Sequence, residues 1–253
     1  MLEHREATIG LFSIDGATLA AREEVDARVV AWARQLGAAP EHNSELLERE
    51  DLQRIDYFDS FPHLAHRVEP HLQDGDDEAL YLTSAGCYGV YFRRRATQRP
   101  EREIVTVRVT CRRREERYEP LRRQREFQMR EVVAIGTADE VEAHLLSGAE
   151  FMSALAADLG IEAEFEVATD PFFRRDDPRA RHQQLFPTKR ELVDGSGLAI
   201  GSINFHRNFF GERCEIERDG EPVFSGCIAF GLERWVDAIG RATRTNPDRN
   251  GAS

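Results

Sequence analysis

Two segments far apart in the sequence carry residues suited to holding a phosphorylated ligand. Residues 111–136 (CRRREERYEPLRRQREFQMREVVAIG) have the pattern of a strand, an arginine-rich loop and a return strand. Residues 226–235 (GCIAFGLERW) run from a strand through a glycine into a helix. Guanidinium groups, an aromatic ring and the N–H groups of a helix N-terminus suit a polyanion that carries a flat base. Together the two segments predict an ATP site.

Arg234 in the second segment breaks a local rule. It falls in the first turn of a helix expected to begin at residue 232, where the macrodipole favours anions. Glu233 fits that field and Arg234 does not. Because such exceptions often mark functional sites, we expect Arg234 to hold a phosphate, helped by the helix N-terminus. The alternative is an ordinary surface arginine.

Strand periodicity places further candidates on common faces, since residues two apart point to the same side. The rows are Val105, Val107, Val109, Cys111, Arg113 and Glu115; Phe127, Met129, Glu131, Val133 and Ile135; Ser202, Asn204 and His206; and Ser225, Cys227, Ala229 and Gly231. If the first two rows coincide, they form a floor with an arginine, two carboxylates and an aromatic ring. A solvated hairpin end accounts for these two rows equally well.

The elements that must position these residues follow from hydrophobic periodicity and turn signals. Helices are predicted over 19–36, 45–53 and 139–159, another begins at 232, and strands are predicted over 79–84, 103–111, 127–136, 161–167, 189–193, 198–206, 213–218 and 223–231. Asp219-Gly220 signals a hairpin. Hairpin-linked strands with few crossover helices predict an α+β fold, a mainly antiparallel sheet flanked by helices. We expect a helical segment (1–55), a catalytic domain (56–243) and a disordered tail (244–253).

Composition narrows the class of protein. The net charge of −12 argues against general nucleic-acid binding, which needs surplus cations. The sequence has neither a run of about 20 apolar residues nor an apolar signal-peptide core. Four cysteines without close spacing do not predict a disulfide framework. We therefore expect a cytoplasmic enzyme with no membrane partner. Lys189 is the single lysine in the sequence.

The two segments resemble motifs of the class II aminoacyl-tRNA synthetases. Residues 111–136 look like motif 2 and residues 226–235 like motif 3. With DYFDSFPHL, LTSAGCYGVY, VATDPFF and IGSINFHRNFFG, residues 56–243 are similar to the amino acid:[carrier protein] ligases, truncated relatives of the zinc-containing seryl-tRNA synthetases. The resemblance implies activation of an amino acid by ATP as an aminoacyl-adenylate. It also implies transfer to the phosphopantetheine thiol of a carrier protein.

The resemblance implies roles for individual residues at the nucleotide. Arg113 would bind the α-phosphate of ATP and Glu115 the nucleotide or the substrate amine. Phe127 would stack on adenine, and Arg234 would contact the γ-phosphate and close the adenine sandwich. Arg112, where the family commonly has an aromatic residue, is a departure from the pattern.

Magnesium and amino-acid contacts are implied in the same way. Glu191 in KREL would hold Mg²⁺, with Ser202 a weaker candidate beside it. Asn204 would contact the amino acid. Ala229, two residues beyond Cys227 and on the same side, leaves limited room and favours glycine or alanine as substrate.

The resemblance also implies a Zn²⁺ site formed by Cys87, Glu131 and Cys227. Two thiolates and a carboxylate leave a fourth tetrahedral position open for a substrate amine. Spacing alone favours Cys87 and Cys227 as small buried side chains, which is also the interpretation for Cys111 and Cys214. The histidines, including His63, His66 and His206, lack metal spacing, and a hydrogen-bonded structural role is favoured for His206.

Partners follow from the same resemblance. We expect a homodimer with DYFDSFPHL at its interface and an acidic carrier protein docked on arginines 93–95 or on arginines 122, 123 and 125. Ordinary surface charge is the alternative for both clusters and is favoured for the first. The net charge of −12 separately argues against tRNA as a partner. The short, charged segment 174–187 departs from the family pattern and bears on docking. Two alternatives are a ligase acting on a small molecule or peptide and a non-catalytic synthetase paralogue with a regulatory role.

Overall fold

A computed structural model describes residues 9–69, 79–170 and 188–245 of the chain. The helices are α1 (Gly16–Gln35), α2 (Arg49–Arg54), α3 (Tyr57–Ser60), α4 (Tyr88–Phe92), α5 (Ala138–Asp158), α6 (Phe209–Cys214) and α7 (Leu232–Thr245), with a 3-10 turn at Pro62–Leu64. The strands are β1 (Ala39–Glu41), β2 (Leu46–Glu48), β3 (His66–Val68), β4 (Leu80–Leu82), β5 (Thr97–Gln98), β6 (Glu103–Arg112), β7 (Glu126–Gly136), β8 (Ala163–Val167), β9 (Lys189–Asp194), β10 (Ala199–Arg207), β11 (Ile216–Arg218), β12 (Glu221–Pro222) and β13 (Phe224–Gly231). Among these residues, no helix has the length and hydrophobicity that crossing a bilayer requires.

A seven-stranded sheet in the order β1-β6-β7-β13-β10-β9-β8 is the centre of the fold. Its neighbouring strands are antiparallel except at one edge, where β1 pairs with β6 in parallel. This confirms the predicted α+β class and adds a parallel edge strand from the N-terminal segment. Two three-stranded sheets, β2-β4-β3 and β12-β11-β5, complete the pairing.

The register confirms that the predicted rows share one face. A single row across the sheet runs through Val107, Glu131, Ala229, Ser202 and Glu191, each opposite the next. The neighbouring row consists of Val105, Val133, Cys227, Asn204 and Lys189. Because directly opposite residues in an antiparallel pair have Cβ atoms about 5 Å apart, the candidate side chains lie side by side.

Apolar residues on the two faces of the sheet form two cores. On one face Val132 and Ile228 pack with α1, α5 and α7. On the other, Val133 and Cys227 pack with α2, α3, α4 and α6. Helix α5 begins with a capping box in which the Thr137 side chain accepts from the Glu140 backbone N–H. The candidate site lies on the second face, where short helices and loops cover the sheet.

Several element predictions hold and two need correction. The helices over 19–36 and 139–159, the start of α7 at residue 232 and the Asp219-Gly220 hairpin are confirmed within one to three residues. The strand over 213–218 was wrong at its start, because Phe210 and Cys214 are four residues apart on the buried face of α6 and the strand begins at Ile216. The helix over 45–53 was wrong in its first half, where Leu47 is buried and β2 pairs with β4.

Candidate functional site

Two cavities meet on the second face of the sheet. The larger has a volume of about 370 Å³ and the smaller about 110 Å³. Arg113, Met129, Lys189, Ser202 and Ala229 line both. A ligand in one cavity therefore lies next to a ligand in the other, and these shared residues border the junction.

The smaller cavity gathers the residues predicted to bind nucleotide. Its lining includes Arg113, Glu115, Phe127, Glu191, Ser202 and Arg234. The Arg113 guanidinium carbon lies 5.1 Å from the centroid of the Phe127 ring, a cation–π contact. Glu115 forms an ion pair with Arg123 at 2.7 Å. The structure thus brings the two distant segments together in one cavity, as the sequence predicts.

Arg234 is half-buried and bound to the backbone, unlike an ordinary surface arginine. Its Nε and Nη1 donate to the carbonyl oxygens of Arg122 and Ala199, both at 2.8 Å. Burial, with added repulsion from Arg113 and Arg123, lowers the pKa of Arg234 to about 10. Burial and the neighbouring arginines both disfavour the charged form of Arg234, although Glu191 and Glu115 partly offset them. An anion placed between these guanidinium groups would relieve their mutual repulsion.

The N-terminus of α7 contributes to the same cavity through Gly231, Glu233 and Arg234. Glu233 is buried, and its carboxylate accepts from the Gln128 backbone N–H at 2.9 Å and from Arg22 at 3.2 Å. These bonds tie the start of α7 to β7 and to α1. Arg234, one residue further on, is thereby held against the cavity instead of solvent.

A cluster of metal-binding side chains lies in the larger cavity. The ligand atoms of Cys87, His206 and Cys227 all lie within 4.8 Å of one another. Cys87 lies directly before α4 and Cys227 is in β13, and both are buried. The Asn204 side-chain amide contacts the Cys227 Sγ at 3.3 Å and the Ser202 hydroxyl at 3.1 Å.

Glu131, in β7, lies beside this cluster but is not one of the three residues whose ligand atoms are all within 4.8 Å of one another. Its Oε1 accepts from the Gly86 backbone N–H at 2.8 Å, and the Cys87 and Cys227 thiols are close enough to influence its pKa. Its Oε2 is buried without a hydrogen-bond partner. A buried carboxylate oxygen left unpaired is costly and calls for a compensating group.

The electrostatics of the cluster fit a bound cation. Burial raises the pKa of Glu131, and the hydrogen bond with Cys227 together with burial raises the pKa of Cys87 well above its ordinary value. For Cys227, the hydrogen bond from Cys87 lowers the pKa but burial outweighs it, so the net shift is upward. Three neighbouring groups that disfavour their anionic forms would all be stabilised as anions by a divalent cation. The donor set of two sulfurs and a carboxylate suits Zn²⁺.

His206 is a member of the cluster that sequence reasoning did not assign to the metal. Its Nε2 lies 3.9 Å from the Cys227 Sγ, and its Nδ1 lies 3.0 Å from the Tyr91 hydroxyl. The sequence places His206 in the same row as Ser202 and Asn204. This shared face was the sequence feature that placed His206 near the site. Periodicity within one strand, however, does not give the distance to a cysteine on another strand.

Lys189 lies at the junction of the cavities. Its Nζ pairs with Glu191 at 3.0 Å and with Asp170 at 3.1 Å. Burial opposes its charge, but the two carboxylates outweigh burial and raise the pKa of Lys189. The single lysine of the chain is therefore a half-buried cation beside the residue predicted to hold magnesium.

Both arginine clusters predicted as docking surfaces form ion pairs within the chain, and carrier docking on them stays a prediction. Arg94 is buried, with ion pairs to Glu41 and Glu103, so arginines 93–95 do not form a continuous exposed patch. Arg122 pairs with Asp237 at 3.0 Å, and Arg123 with Glu115 as described above. Segment 174–187 and the last three residues of VATDPFF lie outside the described residues.

The fold and the paired cavities define a class II aminoacyl-tRNA synthetase-like catalytic domain. An M. kandleri SerRS, solved in complex with A. aeolicus tRNASec, matches with a TM-score of 0.74 over 94% of this chain and 56% of that chain, at 20% identity. A cytoplasmic serine-tRNA ligase from Naegleria fowleri, in complex with AMP, matches with a TM-score of 0.72 over 89% of this chain and 54% of that chain, at 12% identity.

Sequence similarity gives the family within this class. The chain is 30% identical over 242 residues to amino acid--[acyl-carrier-protein] ligase 1 of Bradyrhizobium diazoefficiens, covering 84% of this chain and 74% of that protein. It is 31% identical to ligase 2 of the same organism, covering 77% of this chain and 66% of that protein. No family model matches. The chain belongs to the amino acid--[carrier-protein] ligase family.

Proposed function

We propose that the protein activates an amino acid with ATP and transfers it to the phosphopantetheine thiol of a carrier protein. The observation that carries this proposal is the junction of the two cavities at Arg113, Lys189 and Ser202. An aminoacyl-adenylate needs a nucleotide and an amino acid side by side. The names of the two Bradyrhizobium relatives support the carrier protein as acceptor.

Activation forms one bond and breaks another at the α-phosphorus of ATP. A carboxylate oxygen of the amino acid attacks the α-phosphorus, and pyrophosphate leaves. Arg113, which lines both cavities, is placed to neutralise the oxygens of the pentacoordinate transition state. Arg234 and the N-terminus of α7 would bind the outer phosphates, and Phe127 would stack on adenine. Glu115, held by Arg123, would contact the nucleotide or the substrate amine.

Mg²⁺ fits the smaller cavity at Glu191, with Ser202 beside it. Magnesium is commonly bound by one or two carboxylates together with substrate phosphates. Glu191 and Ser202 both line the cavity and lie opposite each other in the β9–β10 pair. Glu191, which pairs with Lys189, would hold the ion, and Mg²⁺ would supply positive charge near the phosphates of ATP.

The amino acid would lie in the larger cavity, with its amine at the cluster of Cys87, Glu131 and Cys227. When bound there, Zn²⁺ would supply a Lewis-acid position for the substrate amine. It would thereby select amino acids over carboxylic acids that lack an amine. Asn204 lies within hydrogen-bond reach of this cluster and would orient the amino acid. Ala229, opposite both Glu131 and Ser202, limits the space there and favours glycine or alanine.

Transfer requires the thiol of the carrier to reach the adenylate carbonyl. The thiolate attacks the carbonyl carbon, a thioester forms and AMP leaves with the electron pair. Tyr57, Phe61, Leu64 and Phe209 line the rest of the larger cavity and give it an apolar wall. A homodimer interface at DYFDSFPHL stays a prediction. Tyr57 and Leu64 in that segment are buried within the chain, so other side chains of the segment would have to make the contact.

Amino-acid-dependent exchange of labelled pyrophosphate into ATP tests the activation step. We expect exchange with glycine or alanine, and a loss of about 10²–10³-fold in Arg113→Ala, the effect typical of removing one charge-stabilising donor. Arg114→Ala is the matched control, because Arg114 is the next residue and is exposed. Absence of exchange with every amino acid in metal-replete protein would favour a non-catalytic paralogue.

Intact-mass measurement of candidate carrier proteins tests the acceptor. We expect the phosphopantetheinylated carrier to gain the mass of one aminoacyl group, and the unmodified carrier to gain none. Exchange without any acylated carrier would instead support the alternative, a ligase acting on a small molecule or peptide.

A further inference from the structure

The loop that joins β6 to β7, residues 113–125, is here named the nucleotide loop because it carries residues of the smaller cavity. Its backbone closes on itself at Glu119 and Arg123, which exchange N–H···O bonds of 2.7 and 2.8 Å. Glu115 in this loop lines the smaller cavity and is not among the described residues that line the larger one. Its position therefore favours a contact with the nucleotide over one with the substrate amine. Such a contact requires that Glu115 be held within about 0.5 Å of its productive position.

Tyr118 holds the backbone of Glu115. The Tyr118 hydroxyl accepts from the Glu115 backbone N–H at 3.1 Å. The Glu115 carboxylate is held separately by its ion pair with Arg123 at 2.7 Å. Two different residues of the nucleotide loop thus fix the backbone and the side chain of Glu115. A shift of Tyr118 would release one of these two contacts.

The Tyr118 ring lies directly against the chain that precedes α1. A Cβ built on Gly10 would lie 2.4 Å from two ring carbons of Tyr118 and 2.7 Å from a third, so a side chain at this position would displace the ring. Gly10 also has a φ of 74°, in the left-handed region that glycine adopts at little cost. The close approach of the two residues therefore depends on glycine at position 10.

Arg125 ties the same segment to the end of the nucleotide loop. Its backbone N–H donates to the Gly10 carbonyl oxygen at 2.9 Å, and its Nε donates to the Ile9 carbonyl oxygen at 2.7 Å. Its guanidinium carbon lies 4.9 Å from the centroid of the Tyr118 ring, a cation–π contact. Its carbonyl oxygen accepts from the Arg113 backbone N–H at 3.0 Å. One cluster of contacts thus joins the residues before α1 to both ends of the nucleotide loop.

We propose that Tyr118 is a positioning residue for ATP binding and that the chain before α1 holds it in place through Gly10. Tyr118 is not among the described residues that line either cavity, so its effect on ATP passes through Glu115. The inference rests on the proposed function, because Glu115 is positioned there for the nucleotide. It adds the segment before α1 to the parts of the chain that support the ATP site.

Isothermal titration calorimetry of ATP on the full chain, without amino acid, tests the role of the hydroxyl. Tyr118→Phe keeps the ring and removes the bond to Glu115. We expect its dissociation constant for ATP to rise about 2- to 10-fold, the effect of one neutral hydrogen bond. The KM for the amino acid in pyrophosphate exchange should keep its wild-type value at saturating ATP. A lower Tm with an unchanged dissociation constant for ATP would make the bond merely structural and overturn the inference.

Gly10→Ala tests the contact with the segment before α1, and Gly37→Ala is its matched control. Gly37 has a φ of 77°, close to that of Gly10, but nothing lies within 4 Å of a Cβ at that position. Both variants take a similar backbone strain, so only Gly10→Ala should weaken ATP binding, by at least as much as Tyr118→Phe. In a Tyr118→Ala background, Gly10→Ala should weaken ATP binding no more than Gly37→Ala does, because the ring that it displaces is gone.

The results separate the role of Tyr118 from the proposed function. If the wild type binds ATP and supports exchange, but Tyr118→Phe or Gly10→Ala binds ATP equally tightly, the proposed function stands and the role of Tyr118 fails. An effect of Gly10→Ala that persists in full in the Tyr118→Ala background would also overturn that role. If the affinities for ATP follow the expected order but no amino acid supports exchange, the proposed function fails instead. A wild type that binds no ATP would overturn both.

Discussion

Gly86→Ala tests whether the Glu131 carboxylate is positioned for a metal. Gly86 lies next to Cys87, and its backbone N–H holds Glu131 Oε1 at 2.8 Å. A Cβ built on Gly86 would lie 2.7 Å from that oxygen and 3.0 Å from the carboxyl carbon. Since its φ lies outside the left-handed region, alanine is compatible with the backbone, and the clash with Glu131 is the main consequence.

The size of the clash sets the expected effect. Ordinary van der Waals contact begins at 3.4 Å, so the oxygen must withdraw by about 0.7 Å (3.4 minus 2.7). Metal–ligand distances tolerate only about 0.2 Å, so a displaced carboxylate ligates poorly. Displacements of groups that orient metal ligands typically weaken binding about 10–100-fold, or about 1.4–2.7 kcal/mol. We expect a loss of zinc affinity in that range.

Competition with a chromogenic chelator measures the zinc dissociation constant of each variant. Gly195→Ala is the control, because nothing lies within 4 Å of a Cβ at that turn and its backbone is likewise outside the left-handed region. It should bind zinc as tightly as the wild type. Wild-type zinc affinity in Gly86→Ala would refute the reasoning, provided that circular dichroism shows both variants folded.

Three further predictions concern the nucleotide, the thiols and a buried histidine. Arg234→Gln should remove most of the rise in Tm that ATP gives the wild type, where saturation at 100 times Kd is worth about 2.7 kcal/mol, whereas Arg244→Gln, exposed on the same helix, should retain it. Cys227→Ser should lower the zinc content measured by mass spectrometry, while Cys214→Ser, also buried but outside the cluster, should not; equal zinc in both would argue against the site. Burial lowers the pKa of His144 to about 4, so the folded state resists protonation and stability falls as pH drops from about 6.5 to 4. His144→Gln should abolish up to about 3 kcal/mol of that loss in urea titrations, and an unchanged pH profile would contradict it.

The sequence predicted the sheet and the rows of the site because both depend on local alternation. Along β7, for example, Glu131 is flanked at two-residue spacing by Met129 and Val133, which fixes its face without knowledge of the partner strands. The start of α7, and the presence of a cation (Arg234) in its first turn, could also be predicted because both depend on local sequence. The motifs also gave the family, which the comparisons confirm.

Elements whose conformation depends on distant partners were not predictable from local pattern. Strand β1 exists because it pairs with β6, more than sixty positions away. Residues 46–48 form β2 because β4 lies beside them, although their local pattern favours a helix. Arginine is usually a surface residue, and the burial of Arg94 depends on its ion pairs with Glu41 in β1 and Glu103 in β6.

The functional residues show the same difference between what local sequence determines and what tertiary structure determines. The sequence by itself determined which donors exist and on which side of a strand each one points, because those properties belong to single residues and their neighbours. The tertiary structure alone decided that His206 lies beside Cys227, that Lys189 pairs with two carboxylates, and that Arg113 lines both cavities. Distances between strands depend on register and twist across the whole sheet, and no local pattern encodes them.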